Sequence, residues 1–458
     1  MKKRVLKPEE NRKNATAQQN EKYCSILKQM VDCKTIHAPT DENKEEFLKF
    51  YRVLEENFPL LHEKAERLTF GGGCFVYRIQ GENPRKRVML MSHHDVVEGT
   101  EGWDTDPFCA TVKDGALYGR GTIDTKTPLF AQLQACEELL EQGFDFAGLE
   151  LFIGSSHNEE VSGDGMVLAA EYFRSQGIHL DVILDEGGAI TSGMIPGVTG
   201  KSAMVAVHEK SRHVYRCVAK QGDKGHTGLT PNDDSVVARM AGFIREVTDS
   251  KIYKGRFYPE IKGMFQNHAP YMTFPMNLLF GNLDLFAPII KKIMLGIPQT
   301  KAMLSTGVTF TSVFAGNPDA PQFRAKEAET TMFLRCVRED DLYEGLEKIR
   351  AIGKKYGVEI EETLRDYCEP TDHTAPAFRQ LEQVMAENFP DVVVAPFLLT
   401  AGTDARRFTG LADNILRFAP IDLDKAQFAS IHGDNEHIKI QNIGQCVRFY
   451  ADYIRAVR

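Results

Sequence analysis

The sequence predicts an α/β fold: a mixed, mainly parallel sheet flanked by helices, with an α+β lid domain inserted into it. Three observations carry this. From about residue 85 to 200, short apolar runs alternate with helical periodicity, the sequence form of βαβ units. Three of those runs, Val88–Ser92, Leu149–Gly154 and Val182–Leu184, lead straight into histidine or acidic side chains, and the carboxyl ends of neighbouring parallel strands are where such sheets bind ligands. Between Val205 and about Asp366 the pattern changes to alternating segments that flank helices, and βα character returns after about residue 367. The expected division is a discontinuous catalytic domain, 1–207 and 367–458, around an inserted lid, 208–366.

In chain order, the first helix is expected from Pro128, a residue suited to an opening turn, through Leu129, Leu133, Cys136, Leu139 and Leu140 to a stop at Gly143. A second runs from about Met166 to Gln176 and stops at Gly177. Within the insert, His213–Ala219 and Thr330–Val337 alternate as strands, and Val236–Val247 and Leu342–Tyr356 read as helices. Arg256–Ile297 is rich in Phe, Met, Leu and Pro; it reads as extra core for the insert, with a substrate-facing or subunit-facing surface as the alternative. After the insert come an apolar run at Val392–Leu399, a polar turn at Thr400–Arg406, His432 in a loop, and a closing helix near Asn442–Val457.

A length of 458 residues implies two domains or three and a sizeable core. A hydrophobic content of 42% and a net charge of −9 fit a globular protein and exclude a nucleic-acid or anionic-membrane surface, so a small molecule is the expected partner. The nine cysteines include no Cys-x-x-Cys pair, and no apolar stretch is long enough for a signal peptide or membrane span. Both features point to a cytoplasmic protein with reduced thiols. No Gly-x-Ser-x-Gly elbow, phosphate loop or His-Glu-x-x-His helix occurs.

His93, Asp124, Glu160, Asp185 and His432 combine imidazole nitrogen with carboxylate oxygen, the donor types of divalent zinc. Five such ligands give each of two ions three protein ligands if one carboxylate bridges, with water or hydroxide completing the shell. Two Zn²⁺ against three carboxylates and one hydroxide also sum to zero charge, which a partly buried site tolerates. Glu159 is then free to take a proton from the metal-bound water and deliver it to a leaving amine. Asp95, two residues after His93, is placed to accept the other ring N–H of His93 and fix its tautomer.

The segments Ser92-His93-His94-Asp95-Val96-Val97, Trp103 through Pro107-Phe108, Asp114 to Gly121 leading to Asp124, Asn158-Glu159-Glu160 and Leu184-Asp185-Glu186-Gly187-Gly188 resemble the di-zinc peptidase family of carboxypeptidase S, aminoacylase and the cytosolic dipeptidases. The resemblance implies a zinc-peptidase-like catalytic domain, with His93 and Asp185 on one ion, Glu160 and His432 on the other, Asp124 bridging, Glu159 as general base and Asp95 behind His93. Between Asp185 and Glu186, the reading places the ligand at Asp185, the residue immediately after the strand. The Gly225–Pro231 segment resembles a lid element whose His226 hydrogen-bonds the reacting carbonyl oxygen, sometimes in a partner subunit, so a homodimer through the lid is expected. Thr403-Asp404-Ala405-Arg406 resembles a late active-site loop, with Arg406 as a partner for a substrate carboxylate. Glu98, Thr127 and Gln322–Ala325 depart from the family pattern without removing a ligand or the base.

The expected activity is zinc-dependent hydrolysis of a peptide bond in a dipeptide or short peptide by a metal-bound hydroxide, with Co²⁺ or Mn²⁺ as alternative ions. An N-acyl-amino-acid hydrolase is the alternative enzyme, and a catalytically silent binding protein the alternative of another class.

Overall fold

The computed structural model describes residues 4–38, 40–193, 195, 197–221, 235–319 and 323–458. Its main sheet runs, in spatial order, Glu66–Phe70, Cys74–Gln80, Leu149–Ser156, Lys86–His93, Val182–Asp185, Ile415–Arg417, Lys201–Glu209, Ile190–Ser192 and Asp422–Leu423, with Val392–Leu399 added in parallel beside Lys201–Glu209. Lys86–His93 lies between Leu149–Ser156 and Val182–Asp185 and is parallel to both. The three acid- and histidine-tipped runs are therefore adjacent and end on one edge.

Their continuous apolar character follows from burial on both faces. Val88 and Leu90 enter one core with Leu151, Ile153, Val182 and Leu184, whereas Met89, Met91, Phe152 and Ile183 enter a second core on the opposite face. The helices Lys126–Glu141 and Ile440–Val457 cover the first face through Leu129, Leu133, Ile443 and Val447; Gly165–Ser175 covers the second through Met166, Ala169 and Phe173. At roughly 1.5–3 kcal/mol for each fully buried aliphatic side chain, this double burial is what holds the strand ends in register.

The first predicted helix opens two residues before Pro128, at Lys126. Pro128 thus sits in the first turn, where backbone N–H groups have no helical acceptor and its missing N–H costs nothing. The closing helix likewise starts at Ile440.

A second, all-antiparallel sheet has the order Gly307–Ala315, Glu327–Cys336, Ser211–Lys220, Val358–Asp366. Helices Val236–Asp249 and Glu339–Tyr356 close a core of its own over Tyr215, Cys217, Met332 and Leu334. Part of the apolar Arg256–Ile297 segment is core, but not of this sheet, while Phe274, Leu285, Ile289 and Ile293 are exposed. Tyr258, Ile261, Met264, Phe265 and Met294 pack with Met204, Val198 and Leu398 of the main-sheet side. Among the described residues no helix is long and apolar enough to cross a membrane.

Candidate metal centre

His93 ends its strand and is held by Thr125, whose hydroxyl accepts the His93 N–H at 3.0 Å and donates to the His93 carbonyl at 2.9 Å. The next residue back from Thr125 is Asp124, so the same clamp sets Asp124 against the imidazole: His93 Nε2 lies 3.0 Å from Asp124 Oδ1. The other oxygen, Oδ2, lies 3.1 Å from Nε2 of His432, which in turn lies 3.1 Å from Glu160 Oε2. Asp124 therefore offers one oxygen to each histidine, the arrangement a bridging carboxylate needs.

These spacings suit a metal. In a tetrahedral shell with bonds of about 2.0–2.1 Å, neighbouring ligand atoms lie roughly 3.3 Å apart. His93, Asp124 and Glu160 each present one ligand atom within a common 4.8 Å. The charge balance agrees, because burial surrounds the two imidazoles with acids. Burial raises Glu159 well above the usual carboxylate range, against the pull of His93 and with the help of Asp404, Asp95 and Glu160. Burial also raises Glu186, with Asp185, Asp124 and Glu159 adding to it. Asp404 is pushed up to about 6 by burial, and its Oδ2 has no partner among the described residues. The histidines respond oppositely. His93 is held well above its ordinary value because hydrogen bonds with Asp124 and Asp95 outweigh burial, and His432 is raised to about 10 by hydrogen bonds with Asp124 and Glu160. Such an excess of buried negative charge is costly unless cations share the site.

Asp95 is fully buried. Its oxygens accept the backbone N–H groups of Glu159 at 3.2 Å and Glu160 at 3.0 Å, and Oδ1 lies 3.3 Å from His93 Nδ1. His93 Nδ1 lies nearer still, at 3.0 Å, to the Asp95 backbone carbonyl, so Asp95 orients the imidazole through its main chain as well as its carboxylate, while the carboxylate also holds the turn that carries the candidate base.

The remaining expectations fare differently. Asp185 ends its strand as expected, but its Oδ1 accepts the N–H of Glu186 at 2.9 Å and its Oδ2 accepts that of Ala405 at 3.0 Å. The acid that shares the field of Asp124, Glu159 and His93 is Glu186. Arg406, expected to face a substrate carboxylate, is instead 4% exposed, with Nε 2.9 Å from Asp366, Nη1 3.8 Å from Glu209 and Nη1 donating to the Thr403 carbonyl at 2.8 Å. Its guanidinium is turned inward toward Asp366, Glu209 and Thr403 rather than toward the metal cluster, although Nε makes no hydrogen bond among the described residues. Next to it, Arg335, which the sequence reading passed over, has an Nη1 that meets no hydrogen-bond partner among the described residues. Only its place at the end of an alternating strand could have marked it. His226 lies outside the described residues.

Comparison with known proteins agrees with this geometry. Residues 89–456 match the model of peptidase family M20/M25/M40. The chain is 30% identical over 448 residues to the human N-fatty-acyl-amino acid synthase/hydrolase PM20D1, covering 94% of this chain and 86% of that protein. It is 30% identical over 428 residues to the probable carboxypeptidase S-like 2 of Dictyostelium discoideum, covering 91% and 80%. Among solved structures, the metallo-carboxypeptidase Sso-CP2 of Sulfolobus solfataricus superposes with a TM-score of 0.65 at 18% identity, over 96% of this chain and 99% of that one. The chain, with its paired sheets and its histidine–carboxylate cluster at the strand ends, belongs to the M20/M25/M40 peptidase family.

Proposed function

We propose that this protein is a two-metal hydrolase of amides whose departing half is an amino acid: the terminal residue of a dipeptide or short peptide, or the amino acid of an N-acyl conjugate. The observation that carries the reading is Asp124, with one oxygen on His93 and the other on His432, beside Glu160. A pair of divalent ions bound there supplies Lewis-acid polarisation of the amide carbonyl and acidification of a water. Zinc fits the mixed nitrogen and oxygen donors best, with Co²⁺ and Mn²⁺ as substitutes.

His93, Asp124, Glu160 and His432 hold the ions, and the Asp185–Glu186 step supplies the fifth carboxylate. With both Asp185 oxygens on backbone N–H groups, Glu186 is the better donor of the two. Glu159, its backbone held by Asp95, accepts a proton from the attacking water and returns it to the leaving nitrogen. A carboxyl whose surroundings favour the protonated form suits that return step. Arg335, whose Nη1 meets no partner among the described residues, is suited to a substrate carboxylate, and His226 to the carbonyl oxygen.

The names of the relatives support both substrate kinds, fatty-acyl amino acids in one group and carboxypeptidase substrates in the other. The division into catalytic parts 1–207 and 367–458 with lid 208–366 is supported by the separate four-stranded sheet, with the 256–297 helices packing back onto the main-sheet side. The outer lid strand Gly307–Ala315, with Val313 and Phe314 exposed, supports a homodimer through the lid. The nine free thiols, eight of them buried, support a cytoplasmic setting.

The test is a panel of dipeptides and N-acyl amino acids, short and long in the acyl group, assayed with added Zn²⁺, Co²⁺ or Mn²⁺. Hydrolysis that requires a free carboxylate on the departing amino acid is expected. Equal turnover of the corresponding carboxamides would overturn the substrate assignment.

A further inference from the structure

One buried carboxylate outside the ligand set binds the two loops of the site together. Glu436 is fully buried. Its Oε1 accepts the backbone N–H groups of Ile123 at 2.7 Å and Asp124 at 3.1 Å. Its Oε2 accepts the Gly121 N–H at 3.1 Å and Nη1 of Arg120 at 2.7 Å. Arg120, also buried, extends Nη2 to the carbonyls of Gly433 at 2.8 Å and Glu98 at 3.3 Å, beneath the Trp103 ring at 5.2 Å. The Gly119 N–H donates to the Glu436 carbonyl at 2.9 Å, and the strand His437–Lys439 then pairs antiparallel with Ala116–Tyr118.

These contacts have a particular geometry. Glu436 follows His432 by one short loop, and its side chain ends on the amide of Asp124; Arg120, just before Asp124, ends on Gly433, the residue after His432. Each loop is thus fastened by a side chain of the other. Asp124 and His432, distant in sequence, lie 3.1 Å apart, and this reciprocal pair joins the two segments that carry them. Filling space would need neither the charge nor four donors, and charge-assisted hydrogen bonds are the strong, directional ones.

We propose that Glu436, paired with Arg120, is a positioning residue that fixes His432 against Asp124 and so governs occupancy of the ion held by His432, Asp124 and Glu160. His93 depends instead on Thr125 and Asp95, so the ion on its side should be far less affected. The inference rests on the two-ion reading given above. Glu436→Gln keeps the size but replaces one acceptor oxygen with an NH₂ that would face N–H donors.

The test is titration of metal-stripped full-length protein with Co²⁺, followed by calorimetry and visible absorption, alongside thermal unfolding of the stripped protein. For wild type, two ions are expected. For Glu436→Gln, one ion should bind with near wild-type affinity and the second roughly 10–100-fold more weakly, the usual cost of losing a residue that orients a metal ligand. kcat should fall with KM little changed. If Glu436→Gln does not fold, Arg120→Lys, which keeps the charge but loses the fork to Gly433, should show the same selective weakening. Equal weakening of both ions, or unchanged ion affinities with a lower melting temperature, overturns the proposal and leaves a purely structural role. Wild-type protein that binds a single ion overturns the two-ion reading and this proposal with it.

Discussion

At Asp124, burial acts to raise the carboxyl pKa, and hydrogen bonds from His432 and His93 overcome it, leaving the group ionised at any ordinary pH. The same bonds lift His432 to about 10. In metal-free protein this pair contributes stability that is fully present below the unfolded histidine value near 6.5 and is lost as pH rises through about 10. Thermal melts of chelator-treated protein should therefore show wild type losing its advantage over His432→Ala between pH 6.5 and 10. Metal affinity should rise over that window, since each ion displaces protons. Parallel melting curves for the two proteins across the range would refute the coupling.

Much of the cluster was legible because His93 and Glu160 follow predicted strand ends and Asp124 falls in a loop at a spacing that suits the same sheet edge. What escaped had physical reasons. Strand alternation breaks down where the strand stops, so Asp185 and Glu186 cannot be ranked by pattern; the structure turns Asp185 onto backbone amides. An arginine in a polar turn reads the same whether it meets a substrate or, like Arg406, a buried aspartate. Glu436 binds mostly main-chain N–H groups, which leave no sequence trace.

At the level of elements, the site depends on strands that approach each other closely just past the acids. Gly188 follows the Asp185–Glu186 pair, and a Cβ there would lie 2.1 Å from the Met204 carbonyl oxygen and 2.7 Å from that of Arg417. Both are backbone atoms of neighbouring strands and cannot swing aside. Gly188→Ala should destabilise the fold by about 1–3 kcal/mol or more, read as a lower urea midpoint, with metal binding weakened through displacement of the acid pair. An unchanged midpoint would mean that the strands are not packed this closely. The strands and helices of the main sheet were readable because burial on both faces gives continuous apolar runs and one-sided helices. For Arg256–Ile297, apolar composition does not say which sheet a segment meets: its buried residues pack with Met204 and Leu398 rather than with the insert's own sheet, and others stay exposed.

Across the whole molecule, the four-stranded sheet lies in sequence between His432 and the rest of the cluster, yet the end of the chain brings His432 back beside Asp124 and Glu160. The family assignment gives a metallohydrolase acting on amide bonds; the function proposed above divides metal holding and proton movement between distinct residues, Glu160 for the first and Glu159 beside it for the second. Glu159→Gln separates those roles, because it removes the proton acceptor and leaves the ligands in place. The decisive measurement is metal content per chain together with the hydrolysis rate of the best substrate from the panel, for wild type and Glu159→Gln prepared side by side. The account predicts two ions in both proteins and a rate lowered by about 10²–10⁴-fold in the variant. Full activity in Glu159→Gln, or fewer than about one ion per chain in zinc-replete wild type, would contradict it.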